Sequence, residues 1–484
     1  MLSARHPCRL RSALSTALVL LVSRTRQPLR AERLALPLAR RLHKPHTRKQ
    51  LSLENRCRPA CRVRSLGRVA YPGPPLGIMN CGLVRSMLLG ANCALLFIRP
   101  STRPVALVAD LLFLVLLGSW VYSVLQMIAA GRYLSVHPPS LRSREPISIL
   151  KPLAGLDLDL ESNLRTFFEQ DYPSFEILFA VRGANDPAAS VVARLQRDYP
   201  RVRSRLIVTG EPRYPNPKVF SLEHMLAAAA NDLVVMSDSD IRVTPNLLQT
   251  LAAEFQNGQL AVATCPYRAI PGASLWSRLE ATGMNTDFWG GVLVAGMLEG
   301  VRFAVGPTIA ARRQALNSIG GLERLKNYLA EDFVMGKFAA DAGHGVILSA
   351  YVIEHHIGDA TLAENIAHRV RWARSTRRSR RAGYVGQLFT MPLPLALLVC
   401  VLSPAWWPIL PATLAVRALA AYVVSARVLR ARINWFLLLM EDLIGFVFWF
   451  AGFFGNTIKW RNRRYRLFSD GRFEPIAAPS AVKD

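Results

Sequence analysis

Leu233-Val234-Val235-Met236-Ser237-Asp238-Ser239-Asp240 reads as a buried strand that stops at an Asp-x-Asp. The apolar run is short and continuous, as in a strand covered on both faces. Two carboxylates two residues apart, just past a strand end, can both face a crevice. In an open α/β sheet, ligands bind at the carboxyl ends of the strands. Oxygen ligands of this kind suit Mg²⁺ or Mn²⁺, and such a metal can hold a diphosphate. Alone, the stretch fits a solvated Asp-Ser-Asp turn equally well, so its surroundings have to decide.

Outward from it, strands alternate with helices. Ile147–Leu150, Phe175–Val181, Arg205–Val208, Leu260–Thr264, Phe303–Val305 and Gly345–Ile353 read as strands. Asp159–Phe168, a segment opening at Asp186-Pro187, Lys218–Ala230 and a segment beginning near Pro245 have helical spacing. Asp before Pro is a helix start, which is also the plain reading of Asp186. Glu331-Asp332 begins a further helix, where acids are common. This alternation predicts an α/β domain with a mostly parallel sheet over residues 145–381. The aromatic segment 273–300 (Trp276, Phe288, Trp289) is either a core helix or a membrane-surface helix.

Composition narrows the class. The 484 residues are 51% hydrophobic with a net charge of +27, and the mean hydropathy is +0.20. Residues 1–78 hold 17 Lys and Arg against 2 acids, +15 of the +27. Much of the remaining basic charge flanks apolar segments, a membrane pattern, and no aromatic-basic platform of the single-strand-binding kind is visible. Nucleic-acid binding is therefore not expected. Seven scattered cysteines form no CxxC pair, which argues for a reducing compartment and against structural zinc. Residues 1–78 are expected to be a disordered basic extension. It is either a transit peptide or, as preferred here, an over-extended reading frame ahead of Met79.

Residues 104–129 are long and apolar enough for a transmembrane helix, with Trp120, Tyr122 and Tyr133 as interfacial anchors. Apolar segments follow at 386–403, 405–425 and 434–455, and residues 457–484 read as a basic polar tail. Basic clusters at 369–381, 427–432 and 459–466 all ask to be cytoplasmic. Three full spans after residue 381 cannot satisfy all three. Either the third segment, which carries Glu441-Asp442, is re-entrant or interfacial, or the last cluster lies outside. Arg369 and Arg374 read as surface or headgroup charges. His355-His356 lacks a third metal ligand at suitable spacing, and His224 reads as a packed histidine.

Several stretches together resemble a known family. They are Leu150-Lys151-Pro152-Leu153 with Gly155, Phe167-Phe168-Glu169-Gln170-Asp171-Tyr172-Pro173, Asn216-Pro217-Lys218, Asp238-Ser239-Asp240-Ile241-Arg242-Val243, Ala330-Glu331-Asp332, and Trp460-Arg461 with Arg464-Tyr465-Arg466. Over residues 104–470 the chain is similar to family 2-type GT-A glycosyltransferases, closest to the ceramide glucosyltransferase group (family 21) with its bacterial hopanoid-biosynthesis branch. The resemblance implies a GT-A, Rossmann-like nucleotide-sugar domain held to the membrane by an N-terminal helix and a C-terminal helix cluster. It implies inverting transfer of one sugar, glucose or N-acetylglucosamine, from a UDP-sugar to a lipid hydroxyl. Asp186 and Lys218 match nucleotide-sugar-binding positions. Asp238 and Asp240 match the positions that hold the divalent metal, Mn²⁺ or Mg²⁺. Asp332 matches the general base, and Arg371 and Trp372 match the motif that contacts the diphosphate and the acceptor side. His368 departs from the Gln or Arg that opens this motif.

The implied location is an integral, multi-pass protein of a bacterial inner membrane with a cytoplasmic catalytic domain. Ceramide and a hopanoid polyol compete as acceptor; the stretch Glu299–Gly306 favours the hopanoid branch. The alternative is a processive polysaccharide synthase of the family 2 type. A third reading is a basic membrane scaffold that only binds nucleotide sugar.

Overall fold

The computed structural model describes residues 104–460 and 463–476. The expectations for residues 1–78 and for a start at Met79 lie outside the described residues, as does the end of the tail. The chain opens with helix α1 (Pro104–Leu134), 31 residues long, about 46 Å at the usual helical rise. It runs one and a half turns beyond the expected end at residue 129. Ala109, Phe113, Leu116, Ser123 and Ala130 bury one stripe of it, while Leu107, Leu111, Leu114 and Val121 stay exposed. A helix apolar on its outer side as well suits lipid.

The α/β domain follows as β1 (Ile147–Pro152), α2 (Leu160–Phe168), β2 (Phe175–Val181), α3 (Pro187–Asp198), β3 (Arg203–Val208), α4 (Pro217–Ala228), β4 (Leu233–Ser237), β5 (Ile241–Arg242), α5 (Leu247–Phe255), β6 (Leu260–Thr264) and β7 (Tyr267–Ile270). It continues with α6 (Leu275–Gly283), α7 (Trp289–Glu299), β8 (Thr308–Arg312), α8 (Arg313–Ser318), α9 (Glu331–Asp341), β9 (Gly345–Leu348) and β10 (Ile353–His356). Seven strands form one sheet in the order β3-β2-β1-β4-β8-β6-β9. All run parallel except β8, which lies antiparallel between β4 and β6. The central strands are buried along their length, as helices on both faces require. The chain leaves β1 toward β2 and β3 and returns to pair β4 on the other side of β1. That reversal opens the crevice in which ligands of such sheets bind.

Two strand expectations are corrected. Residues 303–305 form no strand, because Val305 bonds through both its N–H and its carbonyl to the Thr264 hydroxyl instead of to a ladder. The strand lies at Thr308–Arg312. Residues 345–353 split in two because Ser349 and the Ala350 N–H are drawn off to Glu254. The second half, β10, joins β5 and β7 in a small separate sheet.

Helix α10 (Leu362–Ser379) starts with a Thr361/Glu364 capping box. It leads through α11 (Arg381–Gly386) to α12 (Pro392–Leu402), α13 (Ile409–Ala421), a π-helical stretch Tyr422–Val428, and α14 (Trp435–Ala451). Among the described residues, α1 and Ile409–Val428 are long and apolar enough to cross a membrane, and 381–402 is a pair bent by 64°. The described part of the basic polar tail carries strands of its own. They form an antiparallel sheet of β11 (Thr457–Trp460), β12 (Arg463–Leu467) and β13 (Phe473–Pro475) over Ile458, Tyr465, Leu467 and Phe473. The Phe473 N–H bonds the Asn327 carbonyl and ties this sheet to the α/β domain.

The aromatic anchors are also corrected. Trp120 donates to Thr413 on α13, and Tyr133 donates to the Ser349 carbonyl, so both hold helix to protein. Segment 273–300 is a core element with one apolar edge: Trp289 is fully buried while Leu275 and Leu298 are exposed.

Candidate active site

Asp238 follows β4 directly, with its N–H on the Pro307 carbonyl. Lys151, fully buried on the neighbouring β1, fixes this turn from below. Its ammonium donates to Ser237 Oγ at 3.3 Å and to the Asp238 carbonyl, and lies 3.8 Å over the Phe167 ring. Burial pulls the ammonium down to about 7, against Asp238 and Asp240. Sequence reading quoted Lys151 only as part of a motif, and its burial between two strands is what reveals the role.

Lys218 reaches Asp238 Oδ1 at 2.7 Å and Glu331 at 3.3 Å. It arrives there because Asn216 caps α4, accepting from the Lys218 and Val219 N–H groups, while its amide donates to Glu331. Burial works against the charge on Lys218, but Asp238 and Glu331 outweigh it and hold its pKa above the ordinary lysine value. On the other arm, Asp240 Oδ2 lies 3.1 Å from His355 Nε2, while Oδ1 is buried without a partner. His355 overcomes burial and keeps the Asp240 carboxyl below its ordinary value; Asp240 in turn raises His355. The small sheet makes this contact, since β10 pairs His355 with Ile241 and the His356 N–H bonds the Asp240 carbonyl. His355 therefore orients Asp240, a contact that ligand spacing in the sequence could not reveal.

Asp186 is both helix cap and clamp: it accepts from the Ala188 N–H and, with both oxygens, from the Gly155 N–H. Asp332 stands in the first turn of α9. Burial, and then the adjacent Glu331 carboxylate, push its carboxyl up to about 7 despite Lys218. A Cβ at residue 306 would fall 2.7 Å from Asp332 Oδ2, so a side chain there would displace this carboxylate. Trp372 and His368 project from one face of α10, their rings 5.4 Å apart.

Asp186, Lys218, Asp238, Asp240, Asp332, Arg371 and Trp372 all line one cavity of about 1420 Å³. Its far wall is apolar and comes from Tyr122 of α1, Met284, Val292 and Leu298 of the α6–α7 segment, and Phe448 of α14. Trp460 and Tyr465 of the C-terminal sheet also face it. His224, bonded to the Phe220 carbonyl, is a packed histidine as expected. Arg369 and Arg374 are not headgroup charges. Arg369 makes a two-point pair with buried Glu441, and Arg374 donates to the Phe454 and Thr457 carbonyls past the end of α14.

A glycosyl transferase family 21 profile matches residues 111–473. The chain belongs to glycosyl transferase family 21. Ceramide glucosyltransferase 1 of Caenorhabditis elegans is 29% identical over 228 residues, 47% of this chain and 48% of that protein. The ceramide glucosyltransferase of Komagataella phaffii is 34% identical over 131 residues, 26% of this chain and 25% of that protein. The chain thus spans about half or less of the curated relatives it matches. Among solved structures, the mannosyltransferase PcManGT from Pyrobaculum calidifontis, in complex with GDP-Man and Mn²⁺, aligns with a TM-score of 0.43 at 18% identity, over 72% of this chain and 97% of that one. Glucosyl-3-phosphoglycerate synthase from Mycobacterium tuberculosis, with Mg²⁺ and UDP, aligns with a TM-score of 0.32 at 16% identity, over 53% and 83%. The mixed sheet with its parallel core is the α/β architecture expected from the sequence.

Proposed function

We propose that this glycosyltransferase moves one sugar from a UDP-sugar to a hydroxyl of a membrane lipid, with inversion at the anomeric carbon. The observation that carries the reading is the single cavity that joins the carboxylate cluster at the carboxyl end of the central strands to an apolar wall of helices. The acceptor oxygen attacks the anomeric carbon and its proton passes to Asp332. The bond from that carbon to the diphosphate breaks, and UDP departs with the electron pair. A carboxylate raised to about 7 is suited to take a proton near neutral pH. Lys218 and Arg371 offset the charge on the departing diphosphate. Asp186, clamped on Gly155, faces the nucleotide half of the cavity.

The residues fit a divalent cation. Asp240 Oδ1 is a buried carboxylate oxygen without a partner, and Asp238 presents its carboxylate two residues away. Two carboxylates completed by phosphate oxygens and water are the usual Mg²⁺ or Mn²⁺ arrangement at a nucleotide. When bound, the cation supplies neutralisation of the diphosphate. His355 and Lys151 hold the two ligands for it.

Membrane placement follows from the basic clusters. The Arg268 guanidinium donates to the Arg430 carbonyl, which puts the 427–432 cluster on the α/β-domain side of α13. The bent pair 381–402 and α13 then form an outward-and-return hairpin. Helix α14 lies along the surface, with Phe436, Leu443, Val447 and Phe450 exposed on one face and Asp442 buried on the other. All three basic clusters and the α/β domain thereby share one side, which the positive-inside tendency makes cytoplasmic.

Membranes carrying the chain, incubated with Mn²⁺, each of UDP-glucose, UDP-galactose and UDP-N-acetylglucosamine, and ceramide or bacteriohopanetetrol, test the reading. One singly glycosylated lipid identified by mass is the expected product. A long polymer from one UDP-sugar would establish the processive alternative instead.

A further inference from the structure

We propose that His368, held by Glu280, accepts a hydrogen bond from a second hydroxyl of the acceptor, next to the hydroxyl that reacts. The inference rests on the lipid-hydroxyl reading above and deepens it: the acceptor is a lipid with at least two neighbouring hydroxyls.

Glu280 projects from α6 with its side chain 11% exposed, in the wall of the cavity. One carboxylate oxygen receives Asn365 Nδ2 at 2.7 Å, and the other is bonded to His368 Nδ1. Asn365 is itself buried and also reaches the Trp276 carbonyl. Asn365 and His368 stand three residues apart on α10, so both meet the same carboxylate. An ionised carboxylate only accepts, so the hydrogen of a neutral imidazole sits on Nδ1. Nε2 is then left as a lone pair.

Among the described residues nothing bonds to Nε2, and His368 is 32% exposed within the cavity lining. Trp372, 5.4 Å away, and behind it Phe288, 5.7 Å from Trp372, hold the ring in place. A lone pair presented this way binds a hydroxyl hydrogen. It does not suit the diphosphate, whose oxygens are also acceptors; it suits a hydroxyl, and the apolar lining beside it (Met284, Phe288 and Val292) assigns that hydroxyl to the lipid rather than to the sugar. Glu280, His368 and the proposed base Asp332 line the same cavity. The neighbouring Arg369–Glu441 pair differs, because its two-point geometry is closed on itself.

The test compares kcat/KM for ceramide with that for its analogue lacking the secondary hydroxyl, and for bacteriohopanetetrol with that for its monohydroxy analogue. One hydrogen bond corresponds to a preference of about tenfold for the intact lipid. His368→Ala is expected to bring that ratio close to one. His368→Gln, whose carbonyl still accepts, keeps most of it, and Glu280→Gln, which releases the ring, loses part of it. UDP affinity in the same preparations reports that each variant is folded; should His368→Ala fail to bind UDP, Glu280→Gln carries the test. Transfer to intact lipid and analogue at equal efficiency by the unaltered protein overturns the inference and leaves the transfer reading intact. Loss of UDP-dependent transfer to both intact lipids overturns the transfer reading itself, and this inference with it.

Discussion

The cavity has two ends built from the same residue types in opposite ways. At the carboxyl end of the central strands, the charged groups are left open. Asp240 keeps a bare oxygen, Lys218 bridges two carboxylates at the mouth of the crevice, and Asp332 carries a raised carboxyl beside Glu331. At the helix end, the charges are closed on one another. Arg369 is paired with Glu441, and Arg417 with both Asp287 and Asp442, at 2.5 and 2.7 Å with almost no exposure. Arg369 Nε and Asp442 Oδ2 also lack a hydrogen-bond partner among the described residues, so the difference lies in charge: each carboxylate of the seam has a guanidinium against it, which fastens the helices, whereas Asp332 has a second carboxylate as its neighbour. A buried charge therefore says little until its partners are counted.

Breaking the closed end should cost stability. Arg417→Met strands two buried carboxylates and should destabilise the detergent-solubilised protein by about 3–5 kcal/mol, read as a fall in the thermal midpoint. His355→Gln acts on the open end: it should weaken Mn²⁺ binding in the presence of UDP by about 10–100-fold, measured calorimetrically, with little change in melting. Glu331→Gln sharpens the contrast through pH. Asp332 must be ionised to take a proton, so turnover should rise with pH through about 7. Removing the neighbouring charge should move that midpoint down by about one unit. Arg374→Ala, which only leaves two carbonyls unbonded, should cost about 1 kcal/mol and leave the pH profile in place.

The carboxyl end of the sheet was largely legible in the sequence. Asp186, Asn216 and Asp238 sit at the junctions of strands and helices, where short local patterns carry the signal. The helix end was not legible, because its pairs join residues 72 and 130 positions apart. Without those partners Arg369 passed for a headgroup charge. The C-terminal sheet did leave a trace. Buried Tyr465 and Leu467 alternate with exposed Arg464 and Arg466, a strand alternation that the basic charge hid. Glu441-Asp442 had already marked the third apolar segment as the interfacial candidate; that Asp442 would be buried against Arg417 is a pairing that apolar runs do not carry.

The most direct test of the account is Asp332→Asn, in which shape is kept and the base is lost. Lipid products would be counted by mass against UDP affinity in the same preparation. The account predicts unaltered UDP binding with glycosylated lipid reduced by about 10²–10⁴-fold. Undiminished turnover would show that Asp332 is not the base and would contradict the mechanism built on it.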